Sequence, residues 1–127
     1  MVDSQRILIV SADVQFEFMR DAVAAGGFEV MLAHDHDSAF RRLSESPFDL
    51  VVIDLAQASR DIKFIQRLRV TPKLSKTLVL ALGEWGTGGP TFALSQGADA
   101  YEPKPVNAER LVASVERLLR RHLAVAE

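Results

Sequence analysis

One acidic residue, Asp54, ends an apolar run, Leu50-Val51-Val52-Ile53. A short continuous run rich in β-branched residues is typical of a strand covered on both faces, as in a parallel sheet. In open α/β sheets, ligands bind where such strands end at their carboxyl edge. A carboxylate at that edge is therefore the first candidate for a working residue, and here it is Asp54.

The stretch His34-Asp35-His36-Asp37 alternates two types of metal-binding side chain. Imidazole and carboxylate groups suit several metals, so a metal site is one interpretation. Asp35 and Asp37 also fit the start of a helix, where a side-chain oxygen caps free N–H groups and negative charge favours the helix dipole. We favour the helix start, because the two acids fit that role unaided.

A glycine-rich stretch, Gly83–Pro90, contains Trp85. No Lys-Ser/Thr pair follows it and no G-x-G-x-x-G spacing occurs, so it is interpreted as a flexible loop rather than a phosphate-binding loop. Trp85 is a candidate partner contact, since tryptophan is enriched at binding hot spots; covering the end of the sheet is the alternative. The chain also lacks the G-x-S-x-G elbow of a hydrolase.

Length and composition exclude several classes of protein. The 127 residues predict one domain spanning 1–127, and the 48% hydrophobic content is enough for a full core. The net charge of −2 gives no electrostatic case for direct nucleic-acid binding. The absence of cysteine excludes disulfides, thiolate zinc sites and thiol nucleophiles. The sequence has no signal peptide or membrane-spanning run, so we expect a cytoplasmic protein without a membrane partner.

Apolar runs and helical spacing alternate along the chain. The predicted strands are Ile7–Val10, Phe28–Ala33, Leu50–Asp54, Thr77–Leu82 and Ala98–Glu102. The predicted helices lie at Val14–Ala25, between the Asp35 cap and Pro47, around Ile62–Leu68, at Pro90–Gln96, and from the Asn107 cap to Leu123. Strands that alternate with helices in this way predict a parallel sheet with right-handed crossovers.

Over essentially its whole length, the sequence resembles the receiver domain of bacterial response regulators. The matching pieces are the first strand, Asp54 at the end of the third strand, and Gly97–Tyr101 before Lys104-Pro105. The last piece is the most specific, because its spacing back to the fourth strand also fits. The resemblance implies an α/β fold, a flavodoxin-like (CheY-like) three-layer (βα)5 sandwich with a parallel five-stranded sheet of order 2-1-3-4-5.

The resemblance also implies roles for matching positions. Asp54 matches the phosphoacceptor, Lys104 matches the lysine that contacts the phosphoryl group, and Tyr101 matches the aromatic switch residue. The Lys104–Pro105 bond matches a bond that is often cis in the family, and an X-Pro bond permits this. The implied partners are a histidine kinase or phosphotransfer protein, an output partner at the face of the fourth helix, fifth strand and fifth helix, and a second copy as a candidate. Such a domain is not an enzyme; at most it accepts a phosphoryl group on Asp54.

Several positions depart from the family pattern. Ser11 and Ala12 replace the two acids that hold Mg²⁺, and Leu82 replaces the switch serine or threonine. The Met-Pro and Asp-Gly that usually follow the phosphoacceptor are also missing. The first helix is one residue shorter than usual, which brings Asp13 into consideration beside Asp54 as a weak magnesium ligand. Mg²⁺ is therefore a weak candidate cofactor, and the domain is interpreted as atypical.

These departures leave two hypotheses. In the first, Asp54 is the acceptor of a phosphorylated switch in two-component phosphorelay signalling, with Lys104 as counter-charge. In the second, Asp54 and Lys104 pair directly and the domain is a phosphorylation-independent interaction module. Each lost charge-assisted hydrogen bond is worth about 1.5–3 kcal/mol, enough to slow transfer by an order of magnitude or more, which favours the second mechanism. Without a hydroxyl at Leu82, Tyr101 is expected to be packed or half-exposed. A flavodoxin-like enzyme has little support, since no cofactor loop is present.

Overall fold

The computed structural model describes residues 5–14, 16–56, 58–84 and 89–126, with side chains throughout these ranges except at positions 58 and 122–126. The strands are β1 (Arg6–Val10), β2 (Glu29–Ala33), β3 (Leu50–Asp54), β4 (Leu78–Gly83) and β5 (Ala100–Pro103). The helices are α1 (Phe16–Ala25), α2 (His36–Glu45), α3 (Ala58–Val70), α4 (Gly89–Ser95) and α5 (Ala108–Ala126). Within these ranges, none of the helices is both long enough and apolar enough to cross a bilayer.

The strands form one parallel sheet in the order β2-β1-β3-β4-β5, so the predicted flavodoxin-like topology is confirmed. Every residue of β3 and β4 is buried, as expected for strands with apolar residues on both faces. One face of the sheet packs against α2, α3 and α4, and the other packs against α1 and α5. The result is the predicted three-layer sandwich, with a cleft at the carboxyl edge of the central strands.

Most element boundaries differ from prediction by one or two residues, and α5 continues three residues beyond Leu123 to Ala126. The first helix begins at Phe16 rather than Val14, because Val14 lies in a turn and is 69% exposed. The last strand begins at Ala100 rather than Ala98, because the Ala98 N–H donates to Ala93 O at the end of α4. Hydrophobic spacing identifies elements better than it identifies their ends.

Both predicted helix caps are confirmed. The Ser38 N–H donates to Asp35 Oδ1 at 2.7 Å, and the Arg110 N–H donates to Asn107 Oδ1 at 2.8 Å. These bonds satisfy N–H groups that have no partner within the helix. Asp35 is thereby committed to the start of α2.

At the amino edge of the sheet, one guanidinium group joins three segments. Arg69, near the end of α3, donates from Nε and Nη2 to Gly97 O at 3.0 and 2.7 Å, and from Nη1 to Ser75 O and Thr77 O at 2.9 and 2.7 Å. Its Nη2 also lies 2.8 Å from Asp99 Oδ2. Gly97 has a φ of +115°, and a Cβ there would lie 3.1 Å from Arg69 Cγ, so this turn favours glycine.

Candidate functional site

Asp54 lies where three strands end at the carboxyl edge of the sheet. It is the last residue of β3, pairs in register with Leu82 of β4, and is 8% exposed. Ser11 directly follows β1, and Lys104 directly follows β5. The Lys104 N–H donates to Gly83 O at 2.8 Å, which holds the chain after β5 against the end of β4. Parallel pairing therefore brings residues that are far apart in sequence to one corner.

Both carboxylate oxygens of Asp54 have partners within the chain. Lys104 Nζ donates to Oδ1 at 2.6 Å, and the Ser11 hydroxyl donates to Oδ2 at 2.8 Å. Lys104 Nζ also lies 3.4 Å from Leu55 O. The direct contact between Asp54 and Lys104 is the pair anticipated from the sequence. The Ser11 contact was not anticipated, although a serine beside a buried carboxylate is a ready donor.

Two hydrogen bonds to backbone groups hold Ser11 in place. Its N–H donates to Ala33 O at 3.0 Å, and its Oγ accepts the Asp13 N–H at 3.0 Å. Because the Asp54 carboxylate can only accept, the Ser11 hydroxyl donates its hydrogen to Asp54 while its oxygen accepts from Asp13. Ala12 and Asp13 are both exposed. Asp13 contacts this corner through its backbone N–H, which donates to Ser11 Oγ.

A cleft of about 250 Å³ lies beside Asp54. The polar residues that face it include Ser11, His34, His36, Asp54 and Asp61, together with Ala56 of the loop after β3. This is the side of the sheet on which a ligand would reach the Asp54 carboxylate.

A second hydrogen-bonded group lines the same cleft. The carboxylate of Asp61, in the first turn of α3, accepts the Ala56 N–H on Oδ2 at 2.9 Å and contacts His36 Nε2 through Oδ1 at 2.8 Å. The His36 ring stacks on Phe64, with ring centroids 5.0 Å apart. Asp61 is only 6% exposed. Sequence reasoning missed this group; the signal available was an acid in the first turn of a helix that follows the candidate strand.

The described residues of the cleft offer few carboxylate ligands for magnesium. Mg²⁺ prefers octahedral oxygen coordination with carboxylate ligands. In the ranges the structure describes, no group of three or more His, Asp or Glu side chains is arranged to hold a metal ion. Asp54 already accepts bonds on both oxygens. A weaker site of Asp13 and Asp54 alone stays a prediction.

The two histidines of the 34–37 stretch have separate partners. His34 Nδ1 lies 3.1 Å from Ser11 O, whereas His36 is bound to Asp61 of α3. Asp35 caps α2 and Asp37 is exposed in its first turn. This arrangement favours the interpretation as a helix start over a metal site.

The switch positions are packed. Leu82 is fully buried against the side of the sheet that faces α1 and α5, so it supplies no polar group to the Asp54 corner. Tyr101 is half-buried against the opposite core. Burial raises the pKa of the Tyr101 phenol above 10.0, the Lys104 charge lowers it, and the Glu84 charge raises it. The Lys104–Pro105 peptide bond is cis. Trp85 lies outside the described residues.

A further buried carboxylate, Glu102 of β5, lies on the expected output face. Its Oε1 accepts the Ser114 hydroxyl at 2.5 Å, and its Oε2 accepts Arg110 Nη2 at 2.9 Å. Arg117 Nη2 lies 3.5 Å from Oε1. Positions 110, 114 and 117 share one face of α5, a spacing that could have indicated this contact from the sequence.

Comparison with known proteins gives a consistent picture, although no family model matches the chain. The transcriptional regulatory protein CpxR of Klebsiella pneumoniae is 31% identical over 118 residues, which covers 91% of this chain and 50% of that protein. The response regulator MprA of Mycobacterium ulcerans is 33% identical over 120 residues, which covers 93% of this chain and 51% of that protein. The chain therefore spans about half the length of the curated relatives it matches.

Solved structures agree on the fold. A response regulator receiver domain from Francisella superposes with a TM-score of 0.82 at 23% identity, covering 94% of this chain and 99% of that chain. The chemotaxis response regulator CheY4 of Vibrio cholerae superposes with a TM-score of 0.80 at 22% identity, covering 91% and 98%. At these identities the likeness establishes the fold alone.

Proposed function

We propose a function from one premise: the chain belongs to the receiver-domain family of response regulators. On that premise it acts in two-component signalling, and its own contribution is as an interaction module. It presents a preformed docking face of α4, β5 and α5 to an output partner. In this proposal the Asp54–Lys104 pair is a fixed structural contact and not an efficient phosphoacceptor site.

The observation that carries the proposal is that both carboxylate oxygens of Asp54 accept hydrogen bonds from within the chain. One oxygen accepts from Lys104 and the other from Ser11, and Ser11 stands where the family has a metal-binding acid. A carboxylate that accepts from a charged donor and a hydroxyl is a weaker nucleophile, since both hydrogen bonds withdraw electron density from its oxygens. Phosphoryl transfer to a carboxylate depends on positioning and charge neutralisation, and this corner lacks the acids that would gather a cation.

The surroundings of Asp54 support the same conclusion. Leu82, in register with Asp54, places a fully buried apolar side chain where a hydroxyl would contact a transferred group. Without that hydroxyl, position 82 offers no polar group that could draw the Tyr101 ring inward on phosphorylation. The ring packs against the core. A change at Asp54 therefore has no hydroxyl at position 82 through which it could move Tyr101 and alter the output face.

The docking face is held in one arrangement by Glu102. Bonds to Ser114 and Arg110 fix α5 against β5 independently of Asp54. We propose an output protein as the partner of this face, with a second copy of the chain as the alternative. A histidine kinase or phosphotransfer protein enters only if Asp54 is modified.

A phosphorylated switch is the second candidate function. It is favoured by one observation: Lys104 and Asp54 stand in contact at the carboxyl edge of β3, beside an open cleft, as the family's phosphoacceptor arrangement requires. The two candidates differ in whether Asp54 gains a phosphoryl group under mild conditions.

Intact mass after incubation with acetyl phosphate and millimolar Mg²⁺ separates the two. We expect wild-type protein to keep its unmodified mass. The matched gain-of-function variant carries Ser11→Asp, Ala12→Asp and Leu82→Thr, and we expect it to gain a phosphoryl-sized mass that is lost when Asp54→Asn is added. A stoichiometric gain in the wild-type protein, abolished by Asp54→Asn, would replace the docking proposal with the switch.

A further inference from the structure

Two guanidinium groups converge on the sulfur of one methionine, Met31. Arg6 Nη2 lies 3.6 Å from Met31 Sδ, and Arg42 Nη1 lies 4.0 Å from it. A thioether sulfur is a weak hydrogen-bond acceptor, so this contact leaves two charged donors with a poor partner. A stronger acceptor on the sulfur would be within reach of both.

The alternation of side chains along the strands explains why Arg6 and Arg42 meet Met31. Met31 of β2 pairs in register with Leu8 of β1, and Arg6, two residues before Leu8, lies on the same face of the sheet. Helix α2 covers that face and carries Arg42 in its last turn. The Met31 sulfur therefore lies where β1, β2 and α2 meet.

The Arg6 guanidinium is held in place by its other contacts. Its Nη1 donates to Pro47 O at 2.7 Å, and its Nε lies 3.6 Å from Glu29 Oε2. Its Cζ lies 4.3 Å from the centroid of the Phe48 ring. A donor that is already fixed loses little freedom when it binds a new acceptor.

We propose that Met31 is a site of reversible oxidation to methionine sulfoxide, at which Arg6 and Arg42 bind the new oxygen. The oxidant is a peroxide. The sulfur attacks one oxygen of hydrogen peroxide, so that an S–O bond forms and the O–O bond breaks. The leaving oxygen takes the proton from the transferred oxygen and departs as water; the sulfur loses two electrons and the peroxide gains two. Methionine sulfoxide reductases are the class of enzyme that reverses such an oxidation.

The sulfoxide suits this position better than the thioether does. Oxidation of a methionine ordinarily disrupts a core, because it places a polar group among apolar side chains. Met31 is half-buried at the margin of the core beneath α2, with two charged donors beside its sulfur. Hydrogen bonds from charged donors are stronger than those from neutral ones. The oxidised side chain is therefore accommodated without loss of the fold.

Met19 of α1 provides a comparison within the chain. It is also half-buried, and it packs against the core on the opposite face of the sheet. Among the residues that the structure describes, none donates a hydrogen bond to the Met19 sulfur. A sulfoxide at Met19 would place its oxygen beside apolar side chains, so its formation should destabilise the protein.

Peptide mapping after exposure of the folded wild-type protein to hydrogen peroxide tests the modification itself. We expect Met31 to gain one oxygen atom while the circular dichroism of the folded protein stays unchanged. The inference is overturned if Met31 stays unmodified at a peroxide concentration that oxidises it fully in urea. It is also overturned if the gain of oxygen at Met31 is accompanied by loss of the folded signal.

Two substitutions isolate the effect of each sulfoxide on stability. The Met19→Leu variant retains Met31, and the Met31→Leu variant retains Met19; a variant with both substitutions corrects for oxidation at other residues. We expect oxidation of the Met19→Leu variant to change the equilibrium constant for urea unfolding by less than about twofold. Oxidation of the Met31→Leu variant should raise that constant by about tenfold. Equal increases in the two variants would contradict the binding of the sulfoxide oxygen by Arg6 and Arg42.

An arginine substitution tests the contact from α2. In the Met19→Leu background, Arg42→Leu should make oxidation of Met31 raise the unfolding constant by about fivefold more than before, because a charged donor is lost. Arg41→Leu is the matched control, since it removes the neighbouring, exposed charge from the same helix, and it should leave the effect of oxidation unchanged. If Arg42→Leu and Arg41→Leu behave alike, the Arg42 guanidinium does not bind the sulfoxide.

The Met31 site is separate from the proposed docking face. Strand β2 lies at the edge of the sheet opposite β5. No step of the oxidation involves Asp54, α4 or α5, so a negative result at Met31 contradicts this inference alone and leaves the proposed function as it stands.

Discussion

Two buried carboxylates of this receiver domain, Asp54 and Glu102, are held in nearly the same way. Each accepts a serine hydroxyl on one oxygen and a basic side chain on the other. The partners are Ser11 and Lys104 for Asp54, and Ser114, Arg110 and Arg117 for Glu102. Only Asp54 occupies a position with a chemical role in the family.

The surroundings of the two carboxylates differ more than their bonds do. Asp54 borders a cleft, and the side chain of its cation, Lys104, is 19% exposed. Glu102 lies between β5 and α5, and the side chains of its two arginines are 52% and 62% exposed. A serine and a cation around a carboxylate are therefore a structural arrangement that recurs in this molecule. The hydrogen bonds alone do not distinguish Asp54 from Glu102. Any chemistry at Asp54 would therefore depend on its access to the cleft.

Removing Lys104 should lower the stability of the protein more than any other substitution at these two carboxylates. Lys104→Met keeps the aliphatic stem but leaves Asp54 as a buried charge with Ser11 as its remaining side-chain donor. We expect the free energy of unfolding to fall by about 3 kcal/mol, because breaking one side of a buried pair leaves the other uncompensated. Urea unfolding at neutral pH measures it.

A double variant provides the control for Lys104. Adding Asp54→Asn to Lys104→Met removes the uncompensated charge, so most of the lost stability should return. If the double variant is no more stable than Lys104→Met, the loss comes from packing around the lysine stem, and the ion pair contributes little.

Removing the Glu102 charge should have a smaller effect. Glu102→Gln leaves Arg110 and Arg117, both largely solvated, so neither cation becomes buried and unpaired. We expect a loss of about 1.5 kcal/mol in urea unfolding, chiefly from weaker bonds to Ser114 and Arg110. Glu116→Gln, which alters an exposed pair with Arg120, should change stability by less than about 0.5 kcal/mol. A Glu102 loss equal to that of Lys104→Met would make the two carboxylates equivalent.

The two serines sharpen the comparison further. Ser114→Ala should cost about 1 kcal/mol, because Glu102 Oε1 loses a close donor in a contact shielded by α5. Ser11→Ala should cost about half as much, because water from the cleft can reach Asp54 Oδ2. The two values come from parallel urea titrations. If Ser11→Ala costs more stability than Ser114→Ala, the cleft excludes water from Asp54.

The smallest expected effect lies at Tyr101, between the two regions. Its pKa is raised above 10.0, mainly by burial, so the folded protein holds the phenolic proton more tightly than the unfolded chain does. The stability that this proton confers is present below pH 10 and is lost as the pH rises through the folded pKa. Tyr101 is the single tyrosine, so tyrosinate absorbance reports it directly.

We expect the midpoint of the tyrosinate titration to be higher in the folded protein than in urea. Lys104→Met should raise it further, since the Lys104 charge lowers this pKa. A folded midpoint at or below the value in urea would place the phenol in water and contradict the packed position.

Much of the fold could be predicted from the sequence, because hydrophobic runs and caps are local signals. The parallel order, the three layers and the caps at Asp35 and Asn107 all follow from such patterns. Ends of elements were less certain: the turn at Ala98 depends on a bond to Ala93 in the preceding helix, which spacing does not report.

The site was predictable in part. Asp54 and Lys104 could be placed together by resemblance, and their contact lies at the expected edge. The hydroxyl bond from Ser11 and the contacts of Asp61 could not be predicted, because they depend on side-chain rotamers across segments that are distant in sequence. In the sequence, Ser11 indicates the loss of a metal-binding acid. In the structure, its hydroxyl also donates a hydrogen bond to Asp54.

Arg69 ties the sheet together at one rim. Its guanidinium joins the segments that lead into β4 and β5, far from Asp54. A displacement that a bound partner imposes on these two strands should therefore increase with distance from the guanidinium and be greatest at the opposite rim. The domain is thus tied together most firmly at the rim that carries no candidate chemistry.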